Sequence, residues 1–134
     1  MDGLLRIPAV AGAPRLLLRL EGAALLALAT AGFALTGLSW WLYALLFFLP
    51  DLSFAAYMAG PRPGAAVYNA LHSTIGPAVL AGVGLLLNSP MFLGLAAIWA
   101  AHIGFDRMLG YGLKYASAFG DTHLGRIGRA SAGA

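Results

Sequence analysis

Apolar residues run almost unbroken through most of the chain, interrupted by short polar or proline-bearing signals and not by the two-residue alternation of half-buried strands. Four runs, near 15–37, 39–60, 64–87 and 90–115, each meet the roughly 20 helical residues needed to cross a hydrocarbon core about 30 Å thick. The signals between them are Leu38-Ser39, Pro61-Arg62-Pro63 and Asn88-Ser89-Pro90. Turns this short make neighbouring helices antiparallel. Lipid offers no partner to a free N–H or C=O, and turn signals are too sparse for a barrel. The pattern therefore predicts an all-α fold, a transmembrane antiparallel four-helix bundle, as one integral membrane domain over residues 1–134 with no internal repeat. Residues 116–134 are too polar to span and too apolar for a plain solvated tail, so they are expected on the membrane interface, with Ala130 to Ala134 disordered.

Composition sharpens this picture. With 60% hydrophobic and 10% charged residues the chain is not an ordinary soluble domain. It contains no cysteine, which excludes disulfides, thiolate zinc sites, Cys-ligated iron–sulfur clusters and thiol catalysis together. The formal charge of +3 gathers at the ends of apolar runs, not along one face, and this argues against nucleic acid as a partner. Arg6, Arg15 and Arg19 mark the N-terminal side, Arg62 the second turn, and Arg107, Lys114, Arg126 and Arg129 the C-terminal side, while the other turns lack Lys and Arg. By the positive-inside rule this predicts a multi-pass protein of the cell inner membrane with both termini and Arg62 cytoplasmic. The basic start and Ala29-Thr-Ala-Gly32 loosely resemble a cleaved signal, but the apolar run exceeds a signal core of about 7–15 residues. Trp40, Trp41 and Tyr43 open the second run as interfacial anchors.

Three carboxylates and two histidines fall inside the runs: Glu21, Asp51, His72, His102 and Asp106. Each costs several kcal/mol in hydrocarbon unless paired, hydrated or bound. At about 1.5 Å rise per residue, Glu21 and His72 lie roughly 10–12 Å, and Asp51 and Asp106 roughly 13 Å, from the cytoplasmic ends of their helices. A common depth is what a site built from facing helices requires. His102 and Asp106, four residues apart, share a helix face. Asp51, His72, His102 and Asp106 therefore form a candidate metal shell of nitrogen and oxygen donors suited to zinc, manganese or iron, with Glu21 as a fifth ligand or general base. The alternative is a set of Asp–His and Glu–Arg pairs that only hold the bundle together. Pro50 and Pro77 can bend their helices toward a polar cavity, although proline is frequent in membrane helices in any case, and Tyr68, Asn69, Ser73 and Thr74 can orient His72 or bind neighbouring helices. Asp121 and His123 are expected in a solvated turn, with cover for the cavity mouth as the alternative.

The segments LRLEG at 18–22, LPDLS at 49–53, YMAGPRPGAAVYNALH at 57–72, AHIGFDRMLGYGLKY at 101–115 and DTHLG at 121–125 span almost the whole chain. In them it resembles an uncharacterised bacterial family of small four-helix integral membrane proteins, a domain of unknown function. The resemblance implies the architecture and little about activity. A fainter likeness joins Leu-Pro-Asp at 49–51, His72-Ser73, and His102 with Asp106 to the motif order of membrane-bound metal-dependent hydrolases. It implies Asp51, His72, His102 and Asp106 as metal ligands. Those hydrolases carry a further His after the Pro-Asp and a His-Arg-Gly before the His-Ser, where this chain has Ser53 and Tyr68-Asn69.

Four functions follow from these readings. The first is a metal-dependent membrane hydrolase of an amphiphilic ester or phosphoester near the cytoplasmic leaflet, with Glu21 as base and Arg62 and Arg107 available to phosphate. The second is a redox protein holding haem b between His72 and His102. The third is a proton- or ion-coupled carrier, which four spans permit only as a homo-oligomer. The fourth is a structural membrane subunit in contact with lipid.

Overall fold

The computed structural model describes residues 7–127, so Arg6, Arg129 and the Ala130–Ala134 tail lie outside it. Helix α1 covers Gly12–Thr36, α2 Trp40–Leu46, a 3-10 segment Leu49–Ala59, α3 Pro61–His72, α4 Ile75–Leu86 and α5 Pro90–Leu109, and the strands β1 and β2 cover Asp121–Thr122 and Gly125–Arg126. Four helical stretches are long and apolar enough to cross a membrane: Gly12–Thr36, Trp40–Ala59, Pro61–Leu86 and Pro90–Leu109. The all-α bundle expected from the hydrophobic pattern is the observed architecture, with a small β-hairpin after it.

Helix α5 is the centre of the bundle. It packs along α1 on one side and α4 on another, while α3 packs on the 3-10 segment. Ala96, Ile98, Ala101, His102, Ile103 and Asp106 of α5 are buried, whereas Leu35, Met58 and Leu86 on other spans are almost wholly exposed, as side chains that meet lipid should be. Gly22 and Gly104 let α1 and α5 touch backbone to backbone: a Cβ at Gly104 would lie 2.6 Å from the Gly22 carbonyl oxygen. Small residues permit such approach in membrane bundles, where dispersion rather than water exclusion holds helices together.

Two spans depart from continuous helices. The second changes from α to 3-10 geometry at Pro50, where Asp51 N–H donates to Phe48 O at 3.0 Å. A repeat of three residues then puts Pro50 and Ser53 on one buried side. The third breaks at Ser73-Thr74: Ser73 is extended (φ −85°, ψ 153°), and α4 restarts with Pro77 in its first turn. Proline there has no N–H to continue the ladder back to Ser73.

The fourth span ends at Leu109, six residues short of the expected boundary at 115. Gly110 takes φ +93°, its N–H donates to Arg107 O at 3.0 Å, and Tyr111 N–H donates to Asp106 O at 2.8 Å. This pair of bonds closes the last turn of a helix around a left-handed glycine. The polar tail that follows is folded, which corrects the expectation of a solvated turn. Lys114 bridges to Thr122, β1 pairs with β2, and Thr122 and Leu124 have no exposure. Arg15 Nε donates to Leu124 O at 2.6 Å, Arg19 Nε to Met108 O at 2.8 Å, and Val10 N–H to His123 O at 2.8 Å. The basic residues read only as topology markers thus fasten α1 to other segments, Arg15 to the tail and Arg19 to the last turn of α5. Among the aromatic anchors, Trp41 is 84% exposed, while Trp40 and Tyr43 also pack on Phe33 with centroids 5.0 and 5.3 Å away.

Candidate metal centre

Asp51 stands in the first turn of the 3-10 segment, His72 ends α3, and His102 and Asp106 lie one turn apart on α5. One donor atom from each of the four comes within 4.8 Å of all the others. Asp51 Oδ1 is 3.2 Å from His72 Nε2 and 3.1 Å from His102 Nε2. Asp106 Oδ2 is 3.4 and 3.3 Å from the same two nitrogens, which are 3.2 Å from each other. Donors about 2.0–2.1 Å from a shared ion sit about 3.3–3.4 Å apart in a tetrahedron and about 2.8–3.0 Å apart at adjacent octahedral corners. The five separations that involve an imidazole nitrogen, 3.1–3.4 Å, fall between the octahedral value and the tetrahedral one, and the two carboxylate oxygens lie within 4.8 Å of each other.

The protons argue the same way. His72 Nδ1 lies 2.9 Å from Tyr68 O. A carbonyl can only accept, so Nδ1 carries the proton and a neutral His72 presents the Nε2 lone pair to the cluster. That nitrogen therefore has no proton to give Asp51, His102 or Asp106. His102 Nε2 lies 3.1 and 3.3 Å from the two aspartates and its Nδ1 has no hydrogen-bond partner, so the tautomer that favours a shared ion over a hydrogen-bonded staple is that of His72. The Tyr68 ring lies flat on the His72 imidazole, centroids 3.8 Å apart and planes at 7°. Phe47 and Phe48 meet the His102 ring edge to face at 5.4 and 6.0 Å. His72 and His102 are fully buried, while the Asp51 side chain keeps 29% exposure.

The break after His72 would leave the carbonyls of Leu71 and His72 without helical donors. Two α5 side chains supply them: Trp99 Nε1 donates to Leu71 O at 2.7 Å and Arg107 Nη2 to His72 O at 2.7 Å. Arg107 Nη1 also donates to Tyr111 O at 3.1 Å. Arg107, expected as a phosphate binder, is therefore committed to the backbone that carries His72. Arg62 is exposed at the start of α3.

Glu21 is not brought to this group. It is exposed on α1, because the neighbouring Gly22 occupies the strip that faces α5. The residues around His72 divide their expected roles. Tyr68 orients it through carbonyl and ring, and Ser73 and Thr74 form the break. Asn69 clamps Lys114, its Nδ2 donating to Lys114 O at 2.8 Å and its Oδ1 accepting from Lys114 N–H at 2.6 Å. A haem does not suit the arrangement: imidazoles on opposite faces of one iron hold their nitrogens about 4 Å apart with the macrocycle between them, while these are 3.2 Å apart with two carboxylates on the same atoms.

Asp51 and Asp106 line a cavity of about 340 Å³, together with Phe54, Tyr68, Phe105 and Lys114. Lys114 was read from sequence as a basic flank, and the early end of α5 turns it inward. Burial depresses its ammonium to a pKa of about 8, with Asp106 and Asp51 opposing the shift.

The family described as Domain of unknown function (DUF4260) matches residues 15–127. The chain belongs to this family. The match covers all four ligand candidates and the tail through β2. No curated protein and no solved structure matches the chain.

Proposed function

We propose that Asp51, His72, His102 and Asp106 hold a divalent metal ion, and that the protein is a metal-dependent membrane hydrolase of an amphiphilic ester or phosphoester. One observation carries this reading: donor atoms of four residues from three helical segments lie within 4.8 Å of one another, each carboxylate oxygen 3.1–3.4 Å from both imidazole nitrogens, and one nitrogen is held as a lone pair by the bond between His72 Nδ1 and Tyr68 O. Such an ion supplies Lewis acidity and lowers the pKa of bound water. The chain's own part is to fix the donors and shape access. Tyr68 sets the His72 tautomer, Arg107 and Trp99 hold the broken helix end, and Phe47 and Phe48 close the histidine side to water. The half-open Asp51 and the edge of Asp106 face the cavity, so a substrate approaches from the carboxylate side. Glu21 has no part in this mechanism, since it stands on the exposed side of α1.

Zinc, manganese and iron all accept this donor set, and the reading leaves the choice to measurement. We place the cavity at the cytoplasmic leaflet from the basic residues on its side of the bundle. Elemental analysis of the detergent-purified chain should find a bound divalent metal, and metal-loaded protein should hydrolyse aryl phosphate or carboxylic esters in micelles at a rate that EDTA abolishes. Stoichiometric metal without turnover on either ester class would remove the hydrolase assignment, and absence of metal would remove the centre itself.

A further inference from the structure

Lys114 stands where a charged side chain is expensive. The residue is 5% exposed, and its backbone is fixed by Asn69 and by the bridge to Thr122. Its Nζ donates to Phe119 O at 2.7 Å and lies 3.7 Å from the Phe119 ring centroid and 4.6 Å from that of Tyr68. One carbonyl and two ring faces compensate part of the cost of removing an ammonium from water. Among the described residues no carboxylate comes within 4.0 Å of it. A lysine held rigidly in a pocket, with no carboxylate in ion-pair contact, is a place for an anion from outside once the two aspartates of the cavity are engaged by a metal.

The cavity says what kind. Lys114 is the one basic side chain among its described lining residues, and six of the ten are aromatic: Phe48, Phe54, Tyr68, Phe105, Tyr111 and Phe119. Its volume of about 340 Å³ is at the low end of small-molecule sites, which run about 300–1,000 Å³. Charge balance adds the last step. A divalent ion neutralises the Asp51 and Asp106 carboxylates, and the positive charge of Lys114 is then the unbalanced one in the cavity.

The geometry points to Lys114 as the anchor for the carboxylate or phosphate of an organic anion whose ring-sized apolar body fills the aromatic cavity and whose other end reaches Asp51 and Asp106. This deepens the metal-centre reading by naming the substrate class, and it rests on that reading for the charge balance of the cavity and for the role of the far end.

The experiment measures calorimetric binding of biphenyl-4-carboxylate and its neutral isostere biphenyl-4-carboxamide to the full chain in detergent, alongside metal content. The carboxylate should bind at least about tenfold tighter, as expected when a desolvated charge gains its partner. Lys114→Met should erase that preference and leave the metal content unchanged, and Lys114→Arg should retain it. The groups facing the ammonium are Asp51 on the 3-10 segment, Tyr68 on α3 and Asp106 on α5. With the free ammonium titrating at about 8, the preference should fade as the pH rises beyond that value. Equal affinity for acid and amide in the unmodified protein, or a preference that survives Lys114→Met, would overturn the proposal whatever the metal content. A Lys114-dependent preference in protein that takes up no metal would support the anion site and sink the metal reading alone. In nanodiscs, competition by phosphatidylglycerol but not phosphatidylcholine would support the site with a lipid headgroup as its anion. An undiminished preference in both would support it with a soluble anion.

Discussion

The Tyr68 carbonyl accepts the Nδ1 proton of His72 at 2.9 Å while the Tyr68 ring stacks on the same imidazole at 3.8 Å. One residue thus fixes both the tautomer and the ring plane of its neighbour one turn on. The fixed Nε2 lone pair is what separates a metal centre from a hydrogen-bonded cluster, and this difference has a thermal signature.

If a metal occupies the four-residue shell, EDTA should lower the melting temperature of the wild-type chain, because a ligand bound to the folded form stabilises it by about RT ln(1 + [L]/Kd). His102→Ala should remove the metal, melt lower and no longer respond to EDTA, while still inserting into the membrane. Differential scanning fluorimetry in detergent with and without chelator reads this directly. Identical wild-type melting in both buffers would argue for a polar staple instead.

Arg107 holds the freed carbonyl of His72 at 2.7 Å. Replacing it by Met leaves that buried acceptor unpaired, which costs about 1–3 kcal/mol. Loosening a ligand's support also weakens metal affinity by about 10–100-fold. Both effects should appear in Arg107→Met by melting and metal titration, and unchanged metal affinity would show that the end of α3 is held by other contacts.

His123 Nδ1 accepts from Leu113 N–H at 2.9 Å, which it can do only while that nitrogen is unprotonated. Burial, then the positive charge of Arg107, lowers the His123 pKa below its ordinary 6.5, and the Leu113 N–H bond, made only to the neutral ring, acts in the same direction. The unfolded chain consequently binds the proton first on acidification. The contribution of His123 to stability is complete above pH 6.5 and is lost as pH falls through the lower folded value. Hydrogen-exchange protection at Leu113 should decrease between pH 7 and pH 5 in the wild type, and His123→Ala should show low protection at both. Protection that is flat across this range would detach the tail from His123.

Because the chain has no cysteine, single cysteines report topology cleanly. With the basic ends cytoplasmic, Ser89→Cys should react with an impermeant thiol reagent added to intact cells, and Arg62→Cys should react only after permeabilisation. The reverse pattern would turn the bundle over.

The sequence was sufficient for the spans, because burying about 20 apolar side chains per crossing in lipid is a local property of each segment. It also marked Asp51, His72, His102 and Asp106, since ionisable groups are conspicuous in apolar runs and depth along a helix follows from counting residues. Depth does not give direction, and Glu21 lies near the same level yet points away because Gly22 takes the contact with α5. The break after His72, the 3-10 turn of the second span and the early stop of α5 at Gly110 were not legible as such. Prolines and glycines permit those departures, but only partners from distant segments make them stable: Trp99 and Arg107 for the carbonyls before Ser73, and Arg15 and Asn69 for the segment after Gly110. Lys114 shows the division most clearly. Its sequence position reads as a basic flank at the end of the fourth run, and only the folded tail, through Phe119 and Thr122, puts that charge inside the cavity beside the two aspartates.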